Sequence, residues 1–360
     1  MILALRAWTI WATKNMKKYY AIDLFSGCGG LSEGLRKAGF SVVAAFDNDA
    51  NSVATYRLNH PKTKVFEGDI RNVDTAEIKK ILGNNPLHLL AGCPPCQGFS
   101  SMRRLNKKRS KRDDRNNLVL EYLRFVKELK PLTIMMENVP GLVNYNLFKH
   151  VIKELDKLGY NTKFRAVKIQ EYGVPQRRKR LVVVGSLLGN LEIAKATGEK
   201  VTVRDMIGHL ESVEKTKDPA HKIVASHTPE IMKRIKATPK NGGGRKDLPE
   251  LELECHKGKN VGFNDVYGRL RWDDYSTTIT GGCLNPSKGR FLHPEANRAI
   301  TAREAALLQT FPSDYRFPEG ISKTSIALLI GNALPPKFSY IQSLNIKGHL
   351  VKNLLAEKQV

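Results

Sequence analysis

A chain of 360 residues with 41% hydrophobic content can bury a sizeable core, which excludes global disorder and, at the usual ~100–200 residues per domain, predicts two domains. Fifty-nine Lys and Arg against thirty-five Asp and Glu leave a formal charge of +24, which repels itself unless much of it faces a polyanion, nucleic acid being preferred to an anionic membrane. No apolar run approaches the ~20 residues of a membrane span; the opening MILALRAWTIWA stops at Thr13-Lys14 and has neither the basic start nor the cleavage site of a secretory signal.

Residues 1–18 read as an N-terminal extension without function, with Met16 as an expected alternative start. Cys28, Cys93, Cys96, Cys255 and Cys283 are odd in number and scattered. They point to a reducing cytoplasm rather than a disulfide framework. From Tyr19 the pattern is strand, turn, helix: YYAIDLF is an apolar run, SGCGG a glycine turn, and Leu31, Leu35 and Ala38 recur at helical spacing until Gly39. SVVAAF predicts a strand, SVATYRL a helix, KVF a strand ending at Gly68-Asp69, LHLLAG a strand, NLVLEYLRFVKEL an amphipathic helix and TIMMEN a strand. KFRAVKI and RLVVVGS predict two more. This alternation predicts a parallel, doubly wound α/β sheet with ligands at the carboxyl ends of its strands.

After Ser186 the rhythm is lost, and residues 187–290 read as a smaller, irregular domain. Helical spacing returns at AREAALLQTF and TSIALLIGNA, so that residues 291–360 are expected to close back onto the catalytic unit of residues 19–186.

DLFSGCGG places Gly27, Gly29 and Gly30 between strand and helix, where missing side chains let a ligand approach the backbone and the helix N-terminus. The spacing is not G-x-G-x-x-G, which favours a smaller adenosine ligand over a dinucleotide. Asp47, at the end of the next strand, is placed to accept from ribose hydroxyls, and Asp69 to reach an adenine amino group. Each, taken alone, is equally well a loop acid capping a helix. AGCPPCQGFS then poses three readings of Cys93-x-x-Cys96: a redox pair, half a zinc site, or the seat of one nucleophile. It follows the fourth strand rather than opening a thioredoxin-like motif, and no second Cys or His pair at short spacing follows it, which leaves the nucleophile.

These stretches, with MENVPGL, QRRKR, TAREAALLQTFP and GNALPP in that order, resemble the motifs of the cytosine-carbon-5 DNA methyltransferases across residues 19–340. The resemblance implies a Rossmann-like S-adenosylmethionine-dependent domain with a target-recognition domain at 187–290. It implies Cys96 as a nucleophile that adds to carbon 6 of cytosine, so that carbon 5 can take a methyl from S-adenosyl-L-methionine. Cys93 then stands where the family carries a small residue and is a bystander. Glu137 holds or protonates ring nitrogen 3, Arg180 contacts the base carbonyl, and Arg178 supports the site, the two arginines aimed alike by strand alternation. Cofactor contacts are implied at Phe25, Ser26, Gly27, Gly29, Gly30, Leu31, Asp47, Asn48, Asp69, Ile70, Pro95, Asn332 and Ala333. Pro95 also lines the base pocket.

A base inside a duplex must be flipped to meet a thiol, and RRLNKKRSKRDDR at 103–115 has the charge to hold phosphates around it. DNA contacts are therefore expected at Ser100, Arg103, Arg104, Lys107 and Arg115. STTITGG resembles a recognition loop and adds Thr278, Ile279 and Thr280, with Lys288 and Arg290 beside it. The expected activity is sequence-specific methylation of duplex DNA by a cytoplasmic, nucleoid-associated monomer, protecting DNA from a cognate restriction endonuclease. The alternatives are a transfer-RNA cytosine-5 methyltransferase and a DNA-binding relative that has lost catalysis. No metal is expected.

Overall fold

The predicted alternation builds a seven-stranded sheet in the computed structural model, which describes residues 18–95, 117–248, 250 and 265–356. In chain order its first elements are β1 (Tyr19–Leu24), α1 (Gly30–Lys37), β2 (Phe40–Asp47), α2 (Ala50–Asn59) and β3 (Lys64–Glu67). Next come α3 (Thr75–Leu82), β4 (Leu89–Gly92), α4 (Leu118–Leu129) and β5 (Thr133–Asn138). The helices start where a short acid can take an orphan N–H: Asp49 accepts from Ser52 N and Asp74 from Ala76 N. The strands are apolar on both faces because both are covered. Ile22 and Leu24 face α3, α4 and α5 (Asn146–Lys157), while Ala21 faces α1 and α11 (Pro336–Ala356).

The strand order is β3-β2-β1-β4-β5-β7-β6, with β1 to β5 parallel. β1 lies between β2 and β4, so the chain reverses its direction of winding there, and the crevice beyond those carboxyl ends is where such sheets take ligands. The turn after β1 and the Cys93 loop after β4 flank that crevice. The parallel sense expected from the alternation holds for β1 to β5, but β7 (Lys179–Ser186) is antiparallel to both β5 and β6 (Asn161–Lys168). The reversal has a consequence. Because β7 runs backwards, its first residues lie beside the last of β5, with Asn138 opposite Leu181 and Glu137 opposite Val182.

Beyond Ser186 come the short helices α6 (Val203–Ile207), α7 (Pro219–Lys222) and α8 (Pro229–Ala237), and the described strand-like pairings are isolated bridges. One apolar cluster joins Val203, Leu270, Trp272 and Ile279 to α9 (Ala302–Leu308) and α10 (Lys323–Asn332), and reaches Cys28 in the glycine turn. The packing therefore runs without a seam across residue 290. Helices α3, α5 and α11 occupy stretches that the sequence reading left unassigned. In α11, Phe338, Ile346 and Leu350 are fully buried against the α1 side of the sheet.

Candidate active site

The turn after β1 is left-handed at Phe25 (φ 61°), Gly27 (φ 53°) and Gly29 (φ 98°). Gly27 tolerates this freely, while at Phe25 it is a conformation that concentrates at functional sites. Gly27 N–H donates to Asp47 Oδ2 at 2.8 Å, and Asp49 N–H to Asp47 Oδ1 at 3.0 Å, so the end of β2 is tied to the turn. A methyl group built on Gly27 would meet nothing within 4 Å, whereas on Gly29 it would lie 2.6 Å from His60 Nε2 and 2.7 Å from the Tyr315 hydroxyl, and on Gly30 it would strike the Leu334 carbonyl. Of the three glycines, Gly27 alone faces open space. The other two admit the protein's own chain.

Beneath the turn, Asp23 is fully buried. Ser32 Oγ donates to its Oδ2 at 2.6 Å, the Tyr56 hydroxyl in turn donates to Ser32 at 2.7 Å, and Oδ1 has no partner among the described residues. Burial, aided by the charge of Asp47, pushes Asp23 up to about 7. Asp47 is also raised, by burial first. From the other side the Cys28 thiol donates to the Leu329 carbonyl at 3.3 Å, and the Tyr315 hydroxyl donates to the Cys28 carbonyl. His60 Nε2 lies 3.2 Å from that hydroxyl and must be its donor.

The other residues expected at the cofactor divide by what their side chains do. Ser26 is buried and bonds the Phe46 carbonyl; Leu31 and Ile70 pack into the core, so their side chains are not presented to the crevice. The Asp69 carboxylate is held by Arg71 Nη2 at 2.5 Å and caps the turn Ile70–Asn72. It is a helix-capping acid here, not a free acceptor. Asn48 and Asn332 are exposed, and Ala333 packs against Gly30.

Cys96 lies outside the described residues, as do Ser100, Arg103, Arg104, Lys107 and Arg115. Pro95 is the last described residue before them and is half-buried. The loop is fastened by Asn138, whose Nδ2 donates to the Pro94 carbonyl at 3.0 Å. Beside it, Arg180 Nε approaches Glu137 Oε1 at 2.5 Å, both side chains largely buried. This is an ion-pair contact rather than a directed hydrogen bond, since that oxygen has no hydrogen-bond partner among the described residues. The Cys93 thiol abuts Glu137; burial first, and the carboxylate second, push its pKa well up, so it stays protonated.

Arg178 immediately precedes β7, so the alternation of that strand does not by itself set its direction. It is buried, and its Nη1 donates to the carbonyls of Ile279 at 3.1 Å and Gly331 at 3.0 Å. Burial, then the Arg180 charge, lowers its pKa to about 9. Around it a seam joins the basic motif to the expected recognition loop. Arg177 N–H donates to Ser276 O at 2.9 Å, Ile279 N–H to Gln176 Oε1 at 3.2 Å, and Gln176 Nε2 to Gln309 Oε1 at 2.7 Å. A methyl on Gly331 would collide with the Thr280 backbone, so α10 touches this segment directly.

Of the expected DNA contacts in this segment, Ile279 is turned inward and three others have polar partners within the chain. Ile279 is fully buried, which removes its side chain from any groove; the Thr278 hydroxyl donates to the Arg177 carbonyl at 2.5 Å, and that of Thr280 accepts from Gly282 N–H at 3.4 Å. Arg290 donates to Asp265 at 3.1 Å and to the carbonyls of Gly242, Gly243 and Arg269. Lys288 is exposed. The sequence reading passed over Asp23, His60, Gln309 and Tyr315, and gave Gln176 no role of its own. Gln176 was visible as the first letter of QRRKR, but no local pattern marks the others.

The family description C-5 cytosine-specific DNA methylase matches residues 19–346. The type II methylase M.HgiDII of Herpetosiphon aurantiacus is 39% identical over 343 residues, covering 91% of this chain and 95% of its own. The type II methyltransferase M1.HphI of Haemophilus parahaemolyticus is 32% identical over 324 residues, covering 88% and 83%. The crystal structure of a prophage-encoded DNA modification methyltransferase of E. coli superposes with a TM-score of 0.72 at 24% identity, covering 93% of this chain and all of that one, and so supports the fold. With the glycine turn, the Cys93 loop and the Glu137–Arg180 pair gathered at one crevice, the chain belongs to the C-5 cytosine-specific DNA methylase family.

Proposed function

We propose that this enzyme transfers a methyl group from S-adenosyl-L-methionine to carbon 5 of a flipped cytosine in duplex DNA, through a covalent bond between Cys96 and carbon 6. The observation that carries the reading is the Glu137–Arg180 pair at the carboxyl edge of the sheet, beside the loop that leads to Cys96. A carboxyl group there can hold or protonate ring nitrogen 3 as the thiolate adds, and a guanidinium can take the base carbonyl. Cys93 keeps its proton, which leaves Cys96 as the thiol for addition.

The cofactor, when bound, supplies an electrophilic methyl on a cationic sulfur. The residues fit it: there is open space over Gly27, Asp47 is bonded to that turn, and the buried Asp23 nearby keeps an unpartnered oxygen. Phe25, Gly27, Asp47 and Asn332 would hold it, and Asp69 would serve only after leaving Arg71. Relatives named as type II methylases favour a role in restriction–modification, with a cognate endonuclease cutting the same site. Residues 187–290 would read that site, the basic stretch 103–115 would clamp its phosphates, and a cytoplasmic monomer would meet DNA directly. Among the described residues no helix is long and apolar enough to cross a membrane.

Incubating the chain with methyl-labelled S-adenosylmethionine and either duplex DNA or transfer RNA, beside Cys96→Ser, tests the reading. Label is expected on DNA alone and none from the variant. Label on transfer RNA, or from Cys96→Ser, would overturn the substrate or the nucleophile, and DNA binding without label would mark a relative that has lost catalysis. Bisulfite sequencing of the product then gives the target.

A further inference from the structure

Resting on the reading above, we propose that Arg271, carried with Lys240 and Lys246 by a rigid glycine turn, is a DNA-backbone contact of the recognition segment that grips a phosphate and does not read a base. Among the described residues Arg271 has neither a hydrogen bond nor an ion pair, although the arginines around it are engaged. Arg204 pairs with Asp273, Arg290 with Asp265, Arg298 with Glu304 and Arg303 with Asp218. Arg269 places its donors on four backbone carbonyls and the Asn297 side chain. Asp273, two residues along, is occupied by Arg204, and Asp247 at the end of the glycine turn accepts from the Gly244 N–H at 2.8 Å. An exposed guanidinium left without an acceptor amid so much pairing is available to an external anion.

Its position is fixed from both sides. Leu270 and Trp272 are buried while Arg271 is exposed. Leu270 N–H donates to Leu292 O at 2.9 Å, and Trp272 N–H to Asn241 Oδ1 at 2.8 Å. The arginine stem lies flat across Gly242, whose φ is 110°, and a methyl there would come within 2.5 Å of Arg271 Cγ. The turn beneath is itself clamped, because Arg290 Nη1 donates to Gly242 O at 2.8 Å and Gly243 O at 3.0 Å while Arg269 N–H donates to Gly243 O at 2.9 Å. Lys240 and Lys246 flank the glycines, exposed and without a carboxylate partner among the described residues. Asn241, which could have read a base edge, has its amide oxygen committed to Trp272. A turn of glycines offers no side chain to a groove, so three cations on it suit the phosphate backbone.

The test measures binding of the full chain and of Arg271→Ala to two duplexes over a salt series, one holding the target found by bisulfite sequencing and one unrelated. Arg271→Ala should weaken both by the same factor and make the slope of log K against log salt shallower by about one. Arg271→Lys should keep most of that slope, and neither change should move Tm. Unchanged affinity and slope would overturn the proposal, as would a loss confined to the target duplex at constant slope. If the unaltered chain neither binds nor methylates DNA, the functional reading fails first, and the two failures are distinguishable.

Discussion

Glu137 and Arg180 belong to strands that run in opposite directions, and their meeting is the most specific chemical feature of the site. Neither is unusual alone: a strand-end acid and a basic run are common. At 2.5 Å and largely buried, the two side chains form one close ion pair. Glu137→Gln should keep the shape while removing the carboxyl chemistry, and methyl transfer should fall on the order of 10²–10⁴-fold. A filter-binding control should show DNA affinity within a few-fold of the unaltered chain. Cys93 is the second residue whose meaning the structure sharpened. It stands against Glu137 with its thiol held protonated, so Cys93→Ala should retain labelled-methyl transfer within a few-fold while Cys96→Ser abolishes it. A dead Cys93→Ala that still folds would mean that this thiol takes part.

At the scale of the element, the glycine turn separates two uses of the same residue. Gly27 is left-handed and faces open space; Gly30 is pressed against the Leu334 carbonyl at the start of the last helix. Gly27→Ala should cost about 1–2 kcal/mol of stability through its left-handed backbone, and weaken S-adenosylmethionine binding measured by calorimetry. Gly30→Ala should cost about 1–3 kcal/mol through overpacking and lower Tm directly. A pair of variants with the opposite balance would contradict the assignment of open space to the cofactor. Helices α1 and α4 were legible because their apolar residues recur at the helical period, and the strands because each is a short apolar run bounded by turn residues. The antiparallel sense of β7 was not, because a buried apolar strand reads the same in either direction. Its reversal places Arg180 at the active edge, where a parallel strand would have carried it to the opposite end. The engagement of Thr278, Ile279 and Arg290 with the chain itself was equally hidden, since partners on Gln176, Arg177 and the 242–243 carbonyls are distant in sequence.

Across the whole molecule, His60 and Tyr315 close the C-terminal part onto the glycine turn, one from the end of α2 and one from beyond α9. Burial lowers His60 to about 4, and His293, buried beside Glu304, to about 4. The unfolded chain protonates these groups near 6.5, so it binds more protons than the folded one between pH 6.5 and 4. Stability from each is full above 6.5 and is lost as pH falls through that window, by on the order of 3 kcal/mol apiece. Asp23 acts in the opposite sense, since its raised pKa lets the folded state gain protons between about 7 and its ordinary 3.8. The measurement is therefore a difference. The fall in Tm from pH 7 to pH 5 should be smaller in His60→Gln than in the unaltered chain, and an equal fall in both would reject the buried neutral histidine.

Sequence by itself determined the α/β alternation, the crevice motifs and the polyanion-facing charge, because period, glycine spacing and net charge are local or additive properties of the chain. The tertiary structure alone decided which acids are free and which are caps, which arginines support carbonyls and which remain open to phosphate, and where β7 delivers Arg180. Those outcomes depend on partners brought together from far along the chain, and on burial, which sets whether a charge is held, neutralised or offered to solvent.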